Sequence, residues 1–196
     1  MEFFLSILGL LGMFIFLIAI TIPVAIIGFQ NDFVRRKNRV EEAASNIEIQ
    51  LIRRSDLVLN IVETVKGYAK HESSTLEKVI NARKQTAQVN IDKESSLQDK
   101  MNVSQKLTSE LSKLMVVVEK YPELKADTQF NSLQNSLENI ENRISTYREE
   151  YNLMTRRYNT DIEQFPKSIV AKRFGFQKKE FLVFDGQNFE RPTVKF

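Results

Sequence analysis

The chain begins with an apolar run, Phe3 to Phe29, that contains no charge, and beyond it apolar residues recur at three- and four-residue steps almost to Phe165. The run is dense in Leu, Ile and Phe and has no polar face. As a helix it would be about 40 Å long, more than the ~30 Å hydrocarbon core of a bilayer. The pattern therefore predicts a membrane anchor over residues 1–30, with Pro23 as a kink or an interfacial end. A cleaved signal peptide calls for a basic start and a shorter apolar stretch, and Met1-Glu2-Phe3 supplies no cation. A core helix of a soluble fold would carry a polar face, and a lipoprotein would need a cysteine, which the sequence lacks.

Past the anchor the helical period dominates. Val40, Ala44, Ile47, Leu51, Val58, Val62, Val65, Ala69, Leu76 and Val79 mark one long helix over about 31–88, with no proline and Gly67 as its sole glycine. No turn signal separates it from the anchor. Its apolar arc is wide, with Ile52 and Leu59 on one flank and Leu57, Ile61 and Tyr68 on the other, so more than one neighbour is expected to cover it. The opposite arc carries Arg53, Asp56, Asn60, Glu63 and Lys70. It reads either as a solvated face or as a self-association surface with Arg53 and Asp56 ion-paired between copies. The candidate face comprises Arg53, Arg54, Asp56, Leu57, Asn60, Glu63 and Lys70.

A polar stretch from Asn90 to Ser96 reads as a loop with Asp92 or Ser95 as an N-cap. A second helix over about 95–120 has a coiled-coil-like seam of Ser104, Leu107, Leu111, Leu114, Val118 and Tyr121. Pro122 ends it, and the short hinge predicts an antiparallel return. The third helix, about 127–164, is capped by Asp127 or Thr128 and steps through Phe130, Leu133, Leu137, Ile140, Ile144, Tyr147, Tyr151, Met154 and Tyr158. Pro166 can open a last helix over 166–174 and Gly175 can close it. The expected fold is all-α: one transmembrane helix, then a long antiparallel bundle over 31–175 and a Phe-rich tail over 176–196. Six of the fourteen Phe fall in the last 23 residues, at Phe174, Phe176, Phe181, Phe184, Phe189 and Phe196. Free exposure of so much aromatic surface is unfavourable, so the tail is expected to dock on the bundle, with a membrane or a partner as the alternative.

Charge sets orientation more than partnership. Arg35, Arg36, Lys37 and Arg39 flank the end of the run, so the positive-inside rule puts the N-terminus outside and the C-terminal domain in the cytoplasm of a cell membrane. With 28 basic and 25 acidic residues in the chain, no concentrated basic face points to nucleic acid. The expected contacts are membrane lipid and further copies of the chain. His71 is the only histidine, and with no Cys the usual zinc ligands are missing. His71 and Glu72, adjacent on a helix, would not face each other. No glycine-rich phosphate loop or nucleophile elbow is present. The sequence gives no reason to expect catalysis, a cofactor or a metal.

Arg53-Arg54-Ser55-Asp56-Leu57 and Val62-Glu63-Thr64-Val65-Lys66-Gly67-Tyr68-Ala69-Lys70-His71-Glu72 resemble the signature of the LemA family of bacterial membrane proteins. The likeness continues at Val79 to Arg83, Glu119-Lys120-Tyr121-Pro122-Glu123-Leu124-Lys125-Ala126 and Glu141-Asn142-Arg143-Ile144. It runs on through Tyr151-Asn152, Tyr158-Asn159, Phe165-Pro166, Phe174-Gly175-Phe176 and Pro192 to Phe196. One departure is Leu59, where the family commonly has a proline. The resemblance implies a single N-terminal anchor, an antiparallel helical bundle and no agreed enzymatic activity. It also implies relatives in magnetosome membranes and neighbours among membrane proteases. The expected role is a membrane-tethered scaffold that self-associates and organises partners, with a regulatory subunit of a membrane protease or kinase as the alternative.

Overall fold

The computed structural model describes residues 2–69, 71–92 and 94–183, with no side-chain description for residues 2–6 and 8. Lys70 of the candidate face and Phe184, Phe189 and Phe196 of the tail therefore lie outside the described residues. Six helices and no strand occur among those described: α1 Glu2–Tyr68, α2 Ser73–Ile91, α3 Leu97–Val118, α4 Pro122–Ala126, α5 Thr128–Glu163 and α6 Lys167–Arg173. The apolar run passes into the following helix without interruption, and Pro23 is accommodated inside α1.

The continuous helix expected over 31–88 is broken. α1 stops at Tyr68 and α2 starts at Ser73, across a turn in which the Glu72 N–H donates to the Ala69 carbonyl at 3.1 Å. Gly67 before the turn and Ser73-Ser74-Thr75 after it are weak helix formers. Reversal lets Leu76 and Val79 of α2 share a core with Val58, Ile61, Val62 and Val65 of α1. A straight helix would leave that second stripe in water. The apolar period runs unbroken through the turn because both helices face the same core.

The chain forms two compact units, each using part of α1 and part of α5. The larger comprises residues 42–152 with 181 onward. Its register follows from cross-helix pairs. Arg83 of α2 reaches Ser55 and Asp56 of α1, and Thr86 of α2 reaches the Val103 carbonyl of α3. On α1, Glu48 meets Lys100 while Arg54 meets Ser104, so α1 and α3 run parallel. Arg54 also meets Glu141 and Tyr68 meets Asp127, so α5 runs opposite to α1. The unit is thus a four-helix bundle of up-down-up-down order. Leu107, Leu111, Leu114 and Val118 of α3, Leu124 of α4 and Phe130 of α5 complete its core.

Helix α3 is capped by Ser96, not by Asp92 or Ser95. The Ser96 hydroxyl accepts from the Asp99 N–H at 3.1 Å and the Asp99 carboxylate accepts from the Ser96 N–H at 3.2 Å, a reciprocal capping box. Asp92 instead ties the preceding turn through the Glu94 N–H and the Ser95 hydroxyl. The described end of the tail is held by carboxamides. Asn152 pairs with both backbone groups of Leu182, and Gln98 with both of Val183.

The smaller unit comprises residues 1–41 and 153–180. Phe33 and Val40 of α1 are buried with Tyr158 and Ile162 of α5 and Val170 and Ala171 of α6. The Phe33 and Phe176 rings lie 5.1 Å apart at 56°. Gly175, at φ +74°, closes α6, and the Phe176 N–H reaches back to the Ala171 carbonyl in a Schellman arrangement. Asn159 pairs with both backbone groups of Lys179. The Phe165–Pro166 peptide is cis. Upstream, the residues of known exposure from Ile7 to Ala25 are all open, as a lipid-facing helix requires.

Candidate functional site

The expected face divides in two. Arg53, Asp56, Asn60 and Glu63 are exposed, and Leu57 is half-buried against the core. Arg54 does not belong with them: only 3% of it is accessible. Leu51 precedes it by three residues and Val58 follows it by four, so the helical period turns Arg54 into the bundle. Asp56, expected to pair with Arg53 of another copy, has a partner in its own chain, the Arg83 guanidinium at 3.4 Å. On the exposed side, Ser45, Ile49, Ile52, Asp56, Asn60 and Glu63 form one uncovered stripe at three- and four-residue steps. Ile49 and Ile52, 43% and 47% exposed, are its apolar members.

Arg54 is the polar centre of the larger unit. One terminal nitrogen donates to the Ser104 hydroxyl at 2.7 Å, and the other contacts the Thr108 hydroxyl and lies 2.6 Å from the Glu141 carboxylate. Burial pulls the guanidinium's proton affinity down, and Glu141 opposes that shift. Beside the pair lies an open cleft of about 280 Å³ whose lining includes Met101, Gln105, Ile144 and Arg148. A second cross-helix pair, Lys100 with Glu48 at 2.6 Å, sits about one to two turns along the same interface. These contacts fix helix order and register. His71 is exposed in the α1–α2 turn, and among the described residues no group of three His, Cys, Asp or Glu could hold a metal.

The four membrane-flanking cations are not equivalent. Arg36 is taken up internally, 3.1 Å from Asp32 and 2.5 Å from Asp161. Lys37 lies 3.8 Å from Glu41. Only Arg35 and Arg39 are both exposed and without an ion pair among the described residues. Lys167 of α6 adds a second cation to the cluster, 3.3 Å from Asp32 and 3.0 Å from Asp161. Burial pushes the Asp32 carboxyl up, but its hydrogen bonds and charge contacts with Arg36 and Lys167 outweigh that and leave it below its ordinary value. In the larger unit, the Phe130 N–H and then the Tyr68 hydroxyl hold Asp127 below its ordinary value.

Both carboxylates bind protons less readily folded than unfolded. Their contribution is fully present above the unfolded value of about 3.9 and is lost as pH falls through the folded values. Melting temperature is expected to drop steeply below pH 4. Asp127→Asn should already lower it at pH 7 and flatten the acid limb. An unchanged limb in that variant would refute the assignment.

The family model described as LemA family matches residues 43–196. The chain belongs to the LemA family. The match starts after the apolar run and covers the bundle and the tail. Protein LemA of Metamycoplasma hominis is 24% identical over 168 residues, covering 86% of this chain and 74% of that protein. Magnetosome protein MamQ 1 of Paramagnetospirillum magneticum is 26% identical over 174 residues, covering 77% of this chain and 63% of that protein. Magnetosome protein MamQ of Magnetospirillum gryphiswaldense is 26% identical over 172 residues, with the same coverage. The chain thus spans less than two thirds of the magnetosome relatives. None of these names is that of an enzyme. This LemA-family chain is a helical, membrane-associated protein with one candidate span among the described residues, an α1 segment of mean hydropathy 2.8.

Proposed function

We infer that this LemA-family protein is a non-enzymatic scaffold, tethered by α1 to a bacterial cell membrane, whose bundle self-associates and gathers membrane or envelope partners. The observation that carries this reading is the uncovered α1 stripe in the larger unit. Two isoleucines at i and i+3 stand in water there among Arg53, Asp56, Asn60 and Glu63, the mixture of apolar centre and polar rim that interfaces use. The bundle interior supports it from the other side. Its buried cation is spent on helix register, with Arg54 engaged by Ser104, Thr108 and Glu141. The magnetosome in the relatives' names is compatible with a role in membrane organisation. Exposed Arg35 and Arg39 favour a cytoplasmic bundle by the positive-inside rule.

Sedimentation of the full chain in mild detergent tests the reading. Reversible higher-order species are expected as concentration rises. Ile49→Glu with Ile52→Glu should weaken association at least about tenfold, the equivalent of ~1.4 kcal/mol, without loss of helical circular dichroism. A strict monomer at every concentration would contradict self-association, and one stoichiometric foreign partner instead of homo-oligomers would favour the regulatory alternative.

A further inference from the structure

We propose that the segment Phe165–Phe174, with α6 at its centre, is a second membrane contact that lies in the headgroup region of the leaflet next to the span and binds anionic lipid. The proposal rests on the reading of Phe3–Phe29 as a span.

Its position comes from contacts inside the smaller unit. Descending α5, Asp161 meets Arg36. After the Phe165–Pro166 turn, Lys167 meets Asp32. The chain then climbs back, Phe176 against Phe33 and Lys179 against Glu41. Phe165–Phe174 is therefore the turning point nearest the span. Asp32 and Phe33 follow Phe29 by three and four positions, about 5 Å along the helix axis. Ile26 is the first residue of known exposure along α1 to be half-covered, and Phe29 and Gln30 are half-covered too. Packing of this unit thus reaches into the last turns of the apolar run.

The surface has the matching chemistry. Val170 and Ala171 face inward, while Phe165, Ile169 and Phe174 are 77%, 62% and 46% exposed. In water that cluster is unfavourable; at a bilayer boundary, aromatic and aliphatic side chains with adjacent cations are what binds. Lys172 and Arg173 are exposed beside Ile169 and have no ion pair among the described residues. The nearby acids are already neutralised, Asp32 and Asp161 by Arg36 and Lys167, and Glu163 by Lys178. The surplus positive charge is complementary to anionic headgroups. Two contacts with the leaflet, the span and this segment, would fix the rotation of α1 at the interface.

The chain contains no Trp, so single tryptophans report cleanly on the full protein in nanodiscs. Three variants are required: Ile169→Trp, Phe16→Trp within the span, and Ile91→Trp as a control at a residue 81% exposed. The lipids are phosphatidylcholine and phosphatidylglycerol carrying bromines near the headgroup end of the acyl chain, with a second set brominated near the chain terminus to reach Phe16→Trp at mid-bilayer. Ile169→Trp should emit to the blue of Ile91→Trp and be quenched by the brominated lipid. Its quenching should fall by half or more in discs without phosphatidylglycerol, or with Lys172→Glu and Arg173→Glu added. Emission and quenching like those of Ile91→Trp, while Phe16→Trp is quenched, would overturn the proposal and leave the span intact. An unquenched Phe16→Trp would remove the span itself. Blue-shifted but unquenched emission from Ile169→Trp would assign the surface to protein rather than lipid and equally overturn the proposal.

Discussion

Glu141→Ala is expected to destabilise the larger unit by about 3 kcal/mol, near the lower end of what breaking a buried ion pair costs. The reason is asymmetric burial. The Arg54 side chain is 3% accessible, whereas that of Glu141 is 38% accessible. Removing the carboxylate strands a cation among Ser104 and Thr108 hydroxyls, which are neutral. Removing the cation is less harmful. Arg54→Met leaves Glu141 with water and replaces the aliphatic stem by one of similar length, so a loss of only about 1 kcal/mol is expected. Combining the two should cost less than their sum, with a coupling of roughly 1–3 kcal/mol. Urea unfolding of the four proteins measures the cycle. Equal losses for the two single variants, with simple additivity, would show that the pair does not act as described.

Phe130→Ala should cost about 3–5 kcal/mol, the range for a buried phenylalanine. The ring is 1% accessible and belongs to the core cluster that α5 shares with α1, α2, α3 and α4. Its own N–H is held by the Asp127 carboxylate at 2.9 Å, so the capping residue and the core residue position each other. The larger unit would unfold at markedly lower urea. Phe130→Leu, which keeps most of the volume, should recover much of the loss. A loss below about 1 kcal/mol for the alanine variant would mean that the α4–α5 corner is not closed as described.

The stripes of α3 and α5 were legible because each helix carries its apolar residues on a single face. Leu107, Leu111, Leu114 and Val118 are buried as their spacing requires, and the residues from Phe130 to Tyr158 on the α5 stripe are all buried or half-buried. Reversal at Tyr68 was not legible, because periodicity records which face is apolar and not which way the chain runs. Gly67 and Ser73-Ser74-Thr75 were the available signals.

Arg54 is the clearest miss at the site. Its residue type suggested a surface, but its place in the period did not: the main stripe steps from Leu51 to Val58, and Arg54 and Ser55 fill that gap. Ser104 on the α3 seam was the matching polar residue on the facing helix. A polar residue at a core position in two facing helices is the pattern that would have found the pair. Arg36 shows what position in the sequence leaves open. It counts among the four membrane-flanking cations, yet Asp32, four residues earlier, and Asp161, far along the chain, both pair with it. Nothing local to α1 could reveal Asp161.

Cysteine crosslinking in native membranes addresses self-association most directly, since the chain has no cysteine of its own. Ile52→Cys lies on the uncovered α1 stripe, and Glu138→Cys is an exposed reference on α5. At equal expression, mild oxidation should link Ile52→Cys chains to one another and leave Glu138→Cys chains mostly single. Ile52→Cys chains that stay single, or that link no more than Glu138→Cys chains do, would contradict a scaffold assembled through this face.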